Sequence, residues 1–361
     1  GIGFMFSGFL VGQMDHINIV ISSTWLPITF MLFRRAVLRE EKKYAVAAGL
    51  ALSLSVLGGH QQFSLFAGYW CGFWLLIHLI QERGKRFATK AILFGLVLVV
   101  ALGAAAIQII PTVEFFQYTE RSTLNIVRAS VYSMPPAAWI LLLFPHYFGH
   151  THEQGRFFWN AFPNEFYVYV GIVTLYAALL GSYVWKSRDK PFLVSIILLA
   201  FFLTPGHVTP VYRIFYYFLP GMQFVRVPSR FVFWVDLGLV LLAAFGVDWI
   251  LYKMGKAEKR LSQDAIILSA FGALMGILFY LFYPLVRPFQ NPIEIEQYRL
   301  FDSVVLSALF TGLTALLYLQ RNRPGIYPGR QVFLISLVLV DLLIAQWPRH
   351  FTTEDVLQTF K

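Results

Sequence analysis

The sequence predicts an all-α fold, a polytopic transmembrane helical bundle, and three observations predict it. Of 361 residues, 58% are hydrophobic and only 13% are charged, with a mean hydropathy of +0.63. Soluble domains carry about 25% charged residues, so too few charges are present to solvate a globule of this size and lipid must be the solvent for most of the chain. Apolar runs of spanning length recur throughout, and Lys and Arg fall in alternate connections between them.

Taken in order, the runs predict about eleven spans: 1–14, 17–36, 44–58, 63–81, 88–110, 166–185, 190–205, 231–252, 264–285, 302–320 and 331–347. The first is incomplete: Gly1 lies inside an apolar stretch without a charged leader region, so the chain reads as beginning partway through a helix. Runs 44–58 and 190–205 are short for a bilayer. An aromatic content of 17% suits interface belts and lipid-facing surfaces.

Charge sets the expected orientation. Arg34, Arg35, Arg39, Lys42 and Lys43 form one group. Arg83, Lys85, Arg86 and Lys90 form the next, followed by Lys186, Arg188 and Lys190, then Lys253, Lys256, Lys259 and Arg260, then Arg321, Arg323 and Arg330. These alternate connections hold nineteen of the 29 cationic residues. The positive-inside rule places them in the cytoplasm of a multi-pass cell-membrane protein. The net charge of +10 is thereby explained without nucleic acid, for which no recognition motif is present. A single cysteine, Cys71, excludes an intramolecular disulfide.

The external side then carries Asp15-His16, the turn at 58–62, segment 111–165, segment 206–230, segment 286–301 and the C-terminal tail. Run 137–144 is too short to span and predicts an interfacial or re-entrant helix. The aromatic stretch 211–225, broken at Pro220-Gly221, is expected to lie in the interface plane. Gly272-x-x-x-Gly276 and the stretch Ala243-Ala244…Gly246 suit close helix contact.

Five external constellations can carry chemistry. Arg213, Arg226 and Arg230 lie near the entry of a span, with Pro228 to set the backbone and Ser229 to cap the helix. Guanidiniums beside a helix start bind phosphate, although arginines also snorkel to lipid headgroups. Glu114 and Arg121 can form one face of a polar pocket or an exposed ion pair worth under ~1 kcal/mol. Asp15-His16 offers a general base or simply a solvated turn. His146, His150, His152 and Glu153 resemble a metal set, but without a matching Cys or helical HExxH the default is solvated loop histidines. No metal or other cofactor is identified, and a divalent ion is left open. Gly58-Gly59-His60-Gln61-Gln62 presents an imidazole and amides suited to sugar or phosphate hydroxyls, and equally makes a hairpin turn. Asp236, Asp302 and Asp341 fall in or near spans, where carboxylates are functional candidates by default. Asp236 is close enough in sequence to pair with Arg230.

These motifs together resemble the YfhO-like family of bacterial membrane proteins. The resemblance rests on Phe6-Ser7-Gly8-Phe9, His16, Trp25-Leu26-Pro27, the 58–62 turn, Pro111-x-x-Glu114 with Arg121, Phe144-Pro-x-x-Phe-Gly149, Tyr169-Val-Gly171, Arg226-x-Pro-x-Arg-Phe231 and Gly246-x-Asp248, in order along nearly the whole chain. Gln61 departs from it, since relatives often have proline there. The resemblance implies a GT-C type membrane glycosyltransferase. On this reading residues 1–347 form the membrane domain and 348–361 begin an external segment, with the C-terminus outside. It implies a polyprenyl-phosphate sugar donor, a cell-envelope glycan or polymer as acceptor, and a catalytic acid in an external loop before residue 1. Asp15 and Glu114 are reserve candidates for that acid, with His16, His60, Gln61, Arg121, Arg213, Arg226 and Arg230 binding substrate. A transporter or flippase of envelope lipids, or a non-catalytic scaffold, are the alternative functions.

Overall fold

The structure, a computed structural model, describes residues 1–116, 118–119, 125–148, 165–254, 259–286, 293–322 and 327–350. The described residues contain no strand. The helices are α1 (Ile2–Met5), α2 (Gly8–Gly12), α3 (Ile17–Arg39), α4 (Lys42–Leu57), α5 (Gln61–Gln81), α6 (Phe87–Ala104), α7 (Ala106–Phe116) and α8 (Ile126–Ala129). They continue with α9 (Ile172–Val184), α10 (Lys190–Leu203), α11 (Pro210–Phe218), α12 (Val232–Asp248), α13 (Lys259–Val286), α14 (Ile293–Asn322) and α15 (Pro328–His350).

Seven segments among the described residues are long and apolar enough to cross a membrane: Ile17–Arg39, Gln61–Gln81, Phe87–Ala104, Pro228–Lys253, Arg260–Phe282, Arg299–Asn322 and Pro328–Ala345. Their outer faces carry exposed Ile80, Val99, Leu102, Phe271, Leu281 and Val332. So much uncovered apolar surface is the mark of a lipid environment. The helices at 2–12, 106–115, 172–184 and 190–203 are apolar but shorter.

The chain forms two compact units. The second unit (13–133 and 187–229) is built on α3, α4, α5, α6 and α10. Its core is aromatic. Trp70 packs edge-on to Phe192 at 5.3 Å, and Trp74 meets Phe30 and Phe33 in the same manner. Tilted and edge-to-face rings are the favoured arrangement, because the ring quadrupole repels a face-to-face sandwich.

The first unit (1–12, 134–186 and 230–361) packs α9 against α12, and α14 against α13 and α15. Tyr176, Leu180, Ile250, Leu313 and Leu317 lie in its core. Glycines let its backbones approach. A Cβ at Gly246 would overlap the Ala177 carbonyl, and one at Gly181 would overlap that of Leu242. Gly272 faces the Phe310 ring, and Gly276 faces Ser307. The small-residue patterns therefore do mark helix crossings. Gly246→Ala is expected to force α9 and α12 apart at a cost of about 1–3 kcal/mol. A lowered thermal midpoint in detergent checks this, with Gly95→Ala as the silent control, since a Cβ at Gly95 meets nothing within 4 Å.

Several expectations are revised. The run 88–110 is two helices that break at Ala105. The run 166–185 is helical only from Ile172. Residues 167–171 are not helical: the Gly8 N–H donates to the Tyr169 carbonyl at 2.6 Å, and Gly171 turns at φ 90° against Asp341. A Cβ is strongly disfavoured at that φ. Run 137–144 forms a short 3₁₀ helix, Pro136–Leu142. Stretch 211–225 is broken where expected: α11 ends before Pro220, and Gly221 adopts φ 86°. Ser229 does not cap the following helix; its buried hydroxyl has no hydrogen-bond partner among the described residues.

Candidate functional site

In the second unit, the Asp15-His16 pair and the turn at 58–62 lie at the start of α3, Glu114 on α7, Arg213 on α11 and Arg226 in the connection after it. The turn Gly58-Gly59-His60 docks on the first turns of α3. The His60 N–H donates to Ser22 Oγ at 3.1 Å, and a Cβ at Gly58 would sit 2.6 Å from that oxygen. Ser55 Oγ donates to the Ser22 carbonyl at 2.7 Å and lies 3.0 Å from Ser64 Oγ. This buried hydroxyl chain fixes the turn, and with it His60 and Gln61, beside Asn18 and the start of α3. Asp15 and His16 lie just before α3, exposed and without a side-chain partner among the described residues. Glu114 is likewise exposed, on α7. Its expected companion Arg121 lies outside the described residues, as do His150, His152, Glu153 and the tail after 350.

The connection from α10 to residue 229 crosses the same unit. Tyr69, two turns into α5, donates to the Pro220 carbonyl at 2.7 Å. The His207 N–H donates to Ser130 Oγ at 3.0 Å, and Arg213 Nε donates to the His207 carbonyl at 2.7 Å. Beyond Gly221 the chain reaches Arg226. Its guanidinium has no carboxylate partner among the described residues, and its Nε is buried without a hydrogen bond. A buried donor left unmatched costs about 1–3 kcal/mol. The next residue, Val227, is held at φ 61°, with its N–H on the Ala129 carbonyl at 3.2 Å. Left-handed backbone is an outlier for a β-branched residue, and Pro228 restricts it further. Strain of this kind, about 1–3 kcal/mol, clusters at functional sites.

The opposite end of this unit is ionic. Arg34 and Trp74 Nε1 both donate to Asp189, at 2.7 and 2.8 Å. Arg86 pairs with Glu40, and Lys90 with Glu82. The Lys90 hydrogen bond holds the Glu82 carboxyl below the usual carboxylate range.

The first unit holds buried polar pairs that the sequence did not disclose. Arg230 grips Glu165 in a bidentate pair, Nη2 at 2.7 Å and Nε at 3.1 Å, with side chains 13% and 9% exposed. Arg230 therefore does not pair with Asp236, contrary to expectation. Asp236 is fully buried, turned towards the Ser7 hydroxyl and the Phe9 N–H, although neither closes to hydrogen-bonding geometry. His146 is not a solvated loop histidine. It is 2% exposed, with Nδ1 2.6 Å from Asp302 Oδ1 and its N–H donating to Oδ2 at 2.8 Å. Asp341 accepts from the Tyr169 hydroxyl and from the Val173 N–H at 3.1 Å. Asp302 and Asp341 border one cavity of about 10 Å³, room for at most one water. The one available signal was the rule that carboxylates inside spans need partners. It flagged Asp302 and Asp341, and gave no hint of His146 or Tyr169 as their companions.

No group of three or more metal-ligating side chains occurs among the described residues. No family model, no curated protein and no solved structure matches this chain.

Proposed function

We propose that the chain is a membrane glycosyltransferase that takes a sugar from a polyprenyl-phosphate donor and passes it to a cell-envelope acceptor on the external face. The observation that carries this reading is Arg226: a half-buried guanidinium with no ion-pair partner among the described residues, beside a strained backbone, in the same connection as Arg213. Desolvated cations of this kind are completed by an anion, and phosphate matches the guanidinium fork. His60, Gln61, Asp15, His16 and Glu114, all in the second unit, supply groups for sugar hydroxyls and for proton transfer.

In the reaction the acceptor hydroxyl attacks the anomeric carbon and loses its proton to a carboxylate, for which Asp15 and Glu114 are this chain's candidates. The bond from that carbon to the phosphate oxygen breaks, and the polyprenyl phosphate leaves with the electron pair. Arg226 and Arg213 offset its charge. Arg230, already engaged by Glu165, holds the fold. The reading keeps the YfhO-like, GT-C resemblance. It also keeps about eleven membrane segments, with short helices and interfacial turns beside the seven long spans, basic connections in the cytoplasm and the C-terminus outside.

The test is transfer of labelled sugar from a synthetic polyprenyl-phosphate sugar to cell-envelope acceptor by the purified protein. Labelled acceptor is the expected product. Reconstituted vesicles that move the lipid-linked sugar across the bilayer without transferring it would replace this reading with a flippase, and neither activity would leave a scaffold.

A further inference from the structure

The geometry points to a second ligand site, independent of the glycosyltransferase reading: a binding site for the phosphate headgroup of an anionic phospholipid, at the ionic end of the second unit. An open cavity of about 390 Å³ lies between the last turns of α3 and α5 and the start of α6, bordered by Glu40, His78, Glu82, Lys85, Arg86 and Lys90. That volume is in the range of small-ligand sites, about 300–1,000 Å³.

The charges of the cavity are largely matched internally, with one left over. Lys90 is 3% exposed; its Nζ donates to Glu82 and lies 3.2 Å from His78 Nε2. An ammonium has only hydrogens to give, so the ring nitrogen facing it is the accepting one. Arg86 is taken by Glu40. Lys85 has no side-chain partner among the described residues. The lining therefore carries one uncommitted positive charge.

A second, separate feature favours an anion at the same place. α6 starts at the cavity edge with Arg86 as its N-cap, and no side chain caps its first turn. The Phe87 N–H is taken by the Gly84 carbonyl at 3.1 Å and the Lys90 N–H by that of Arg86 at 3.1 Å, which leaves the Ala88 and Thr89 N–H groups of this 18-residue helix to face an anion. Together with the helix dipole they attract a phosphate.

Position selects the source of that phosphate. α3, α5 and α6 all qualify as membrane spans, so their shared end falls at headgroup depth. Leu38 lines the cavity and is exposed, as are nearby Ile80 and Phe87. An acyl chain can cover this apolar rim; a soluble phosphate cannot. Basic pockets between spans on a cytoplasmic face are suited to anionic headgroups.

Native mass spectrometry of the delipidated protein, titrated with phosphatidylglycerol, phosphatidylcholine, glycerol 3-phosphate or inorganic phosphate, tests this. Phosphatidylglycerol is expected to be retained in preference to phosphatidylcholine. Lys85→Ala should weaken it about fivefold and Lys85→Glu about thirtyfold, following roughly 1 kcal/mol per surface charge. Both variants change an exposed turn residue, so the fold should hold. Arg83→Ala, in the same turn but outside the cavity, should change binding less than twofold, within ordinary surface effects. Equal retention of the two lipids, no response to Lys85→Glu, or an equal loss with Arg83→Ala would overturn the site. Displacement of the lipid by equimolar glycerol 3-phosphate would make the ligand a soluble phosphate and overturn the lipid assignment.

Discussion

Arg226→Ala is expected to lower sugar transfer from a polyprenyl-phosphate donor by about 100-fold or more, the usual effect of removing one positioned donor to a developing anion. The variant should fold as well as the parent. Arg226 makes no ion pair among the described residues, so its removal orphans no buried carboxylate. It also deletes a buried Nε that has no acceptor. This separation of activity from stability is what distinguishes a ligand-binding arginine from a structural one. Arg226→Lys should recover part of the loss, because it restores the charge without the two-pronged geometry. Transfer rates at saturating donor, with thermal midpoints measured in parallel, check the prediction. An Arg226→Ala protein that transfers sugar at the parental rate removes Arg226 from the site. One that fails to fold shows the residue to be part of the scaffold.

The helical class and the long spans were legible because they follow from one-dimensional quantities, the length of apolar runs and the spacing of charges. The glycine contacts at Gly246 and Gly272 were legible for the same reason: a missing side chain is a property of one position. The non-helical stretch 167–171 was not. An apolar segment reads alike whether it is helical or extended, and what holds this one open is Gly8 and Asp341, both more than 150 residues away in sequence. The buried pairs His146–Asp302 and Tyr169–Asp341 were hidden likewise, since each half looks ordinary until the fold joins them. Arg230's pairing with Glu165 was hidden as well, because Arg230 shares a motif with Arg226. The two are four residues apart and alike in chemistry, yet one is committed to Glu165 and the other has no ion-pair partner among the described residues. Nothing local separates them. Only the partner does, and the partner comes from a segment 65 residues upstream.

That contrast makes Glu165 the position with the largest expected effect on stability. Glu165→Ala leaves the largely covered Arg230 guanidinium, 13% exposed, beside an empty volume, with no counter-ion from that position. Breaking a buried pair from one side costs about 3–5 kcal/mol, against a total stability of about 5–15 kcal/mol for a typical domain. The variant is expected to aggregate or to be lost on purification. Glu165→Gln keeps an acceptor but not the charge, and should lie between. The pair itself need not be stabilising, because taking two charges out of water offsets most of their attraction. Replacing both partners with apolar residues of similar size, Glu165→Leu with Arg230→Met, should therefore restore much of what Glu165→Ala loses. Fluorescence-detected size exclusion after graded heating compares the four proteins directly. A double variant no better than Glu165→Ala would show that Arg230 contributes more than its pairing with Glu165. A Glu165→Ala protein as heat-stable as the parent would mean that water or lipid already reaches the guanidinium. In either case Arg230 would return to the list of residues available to the phosphate.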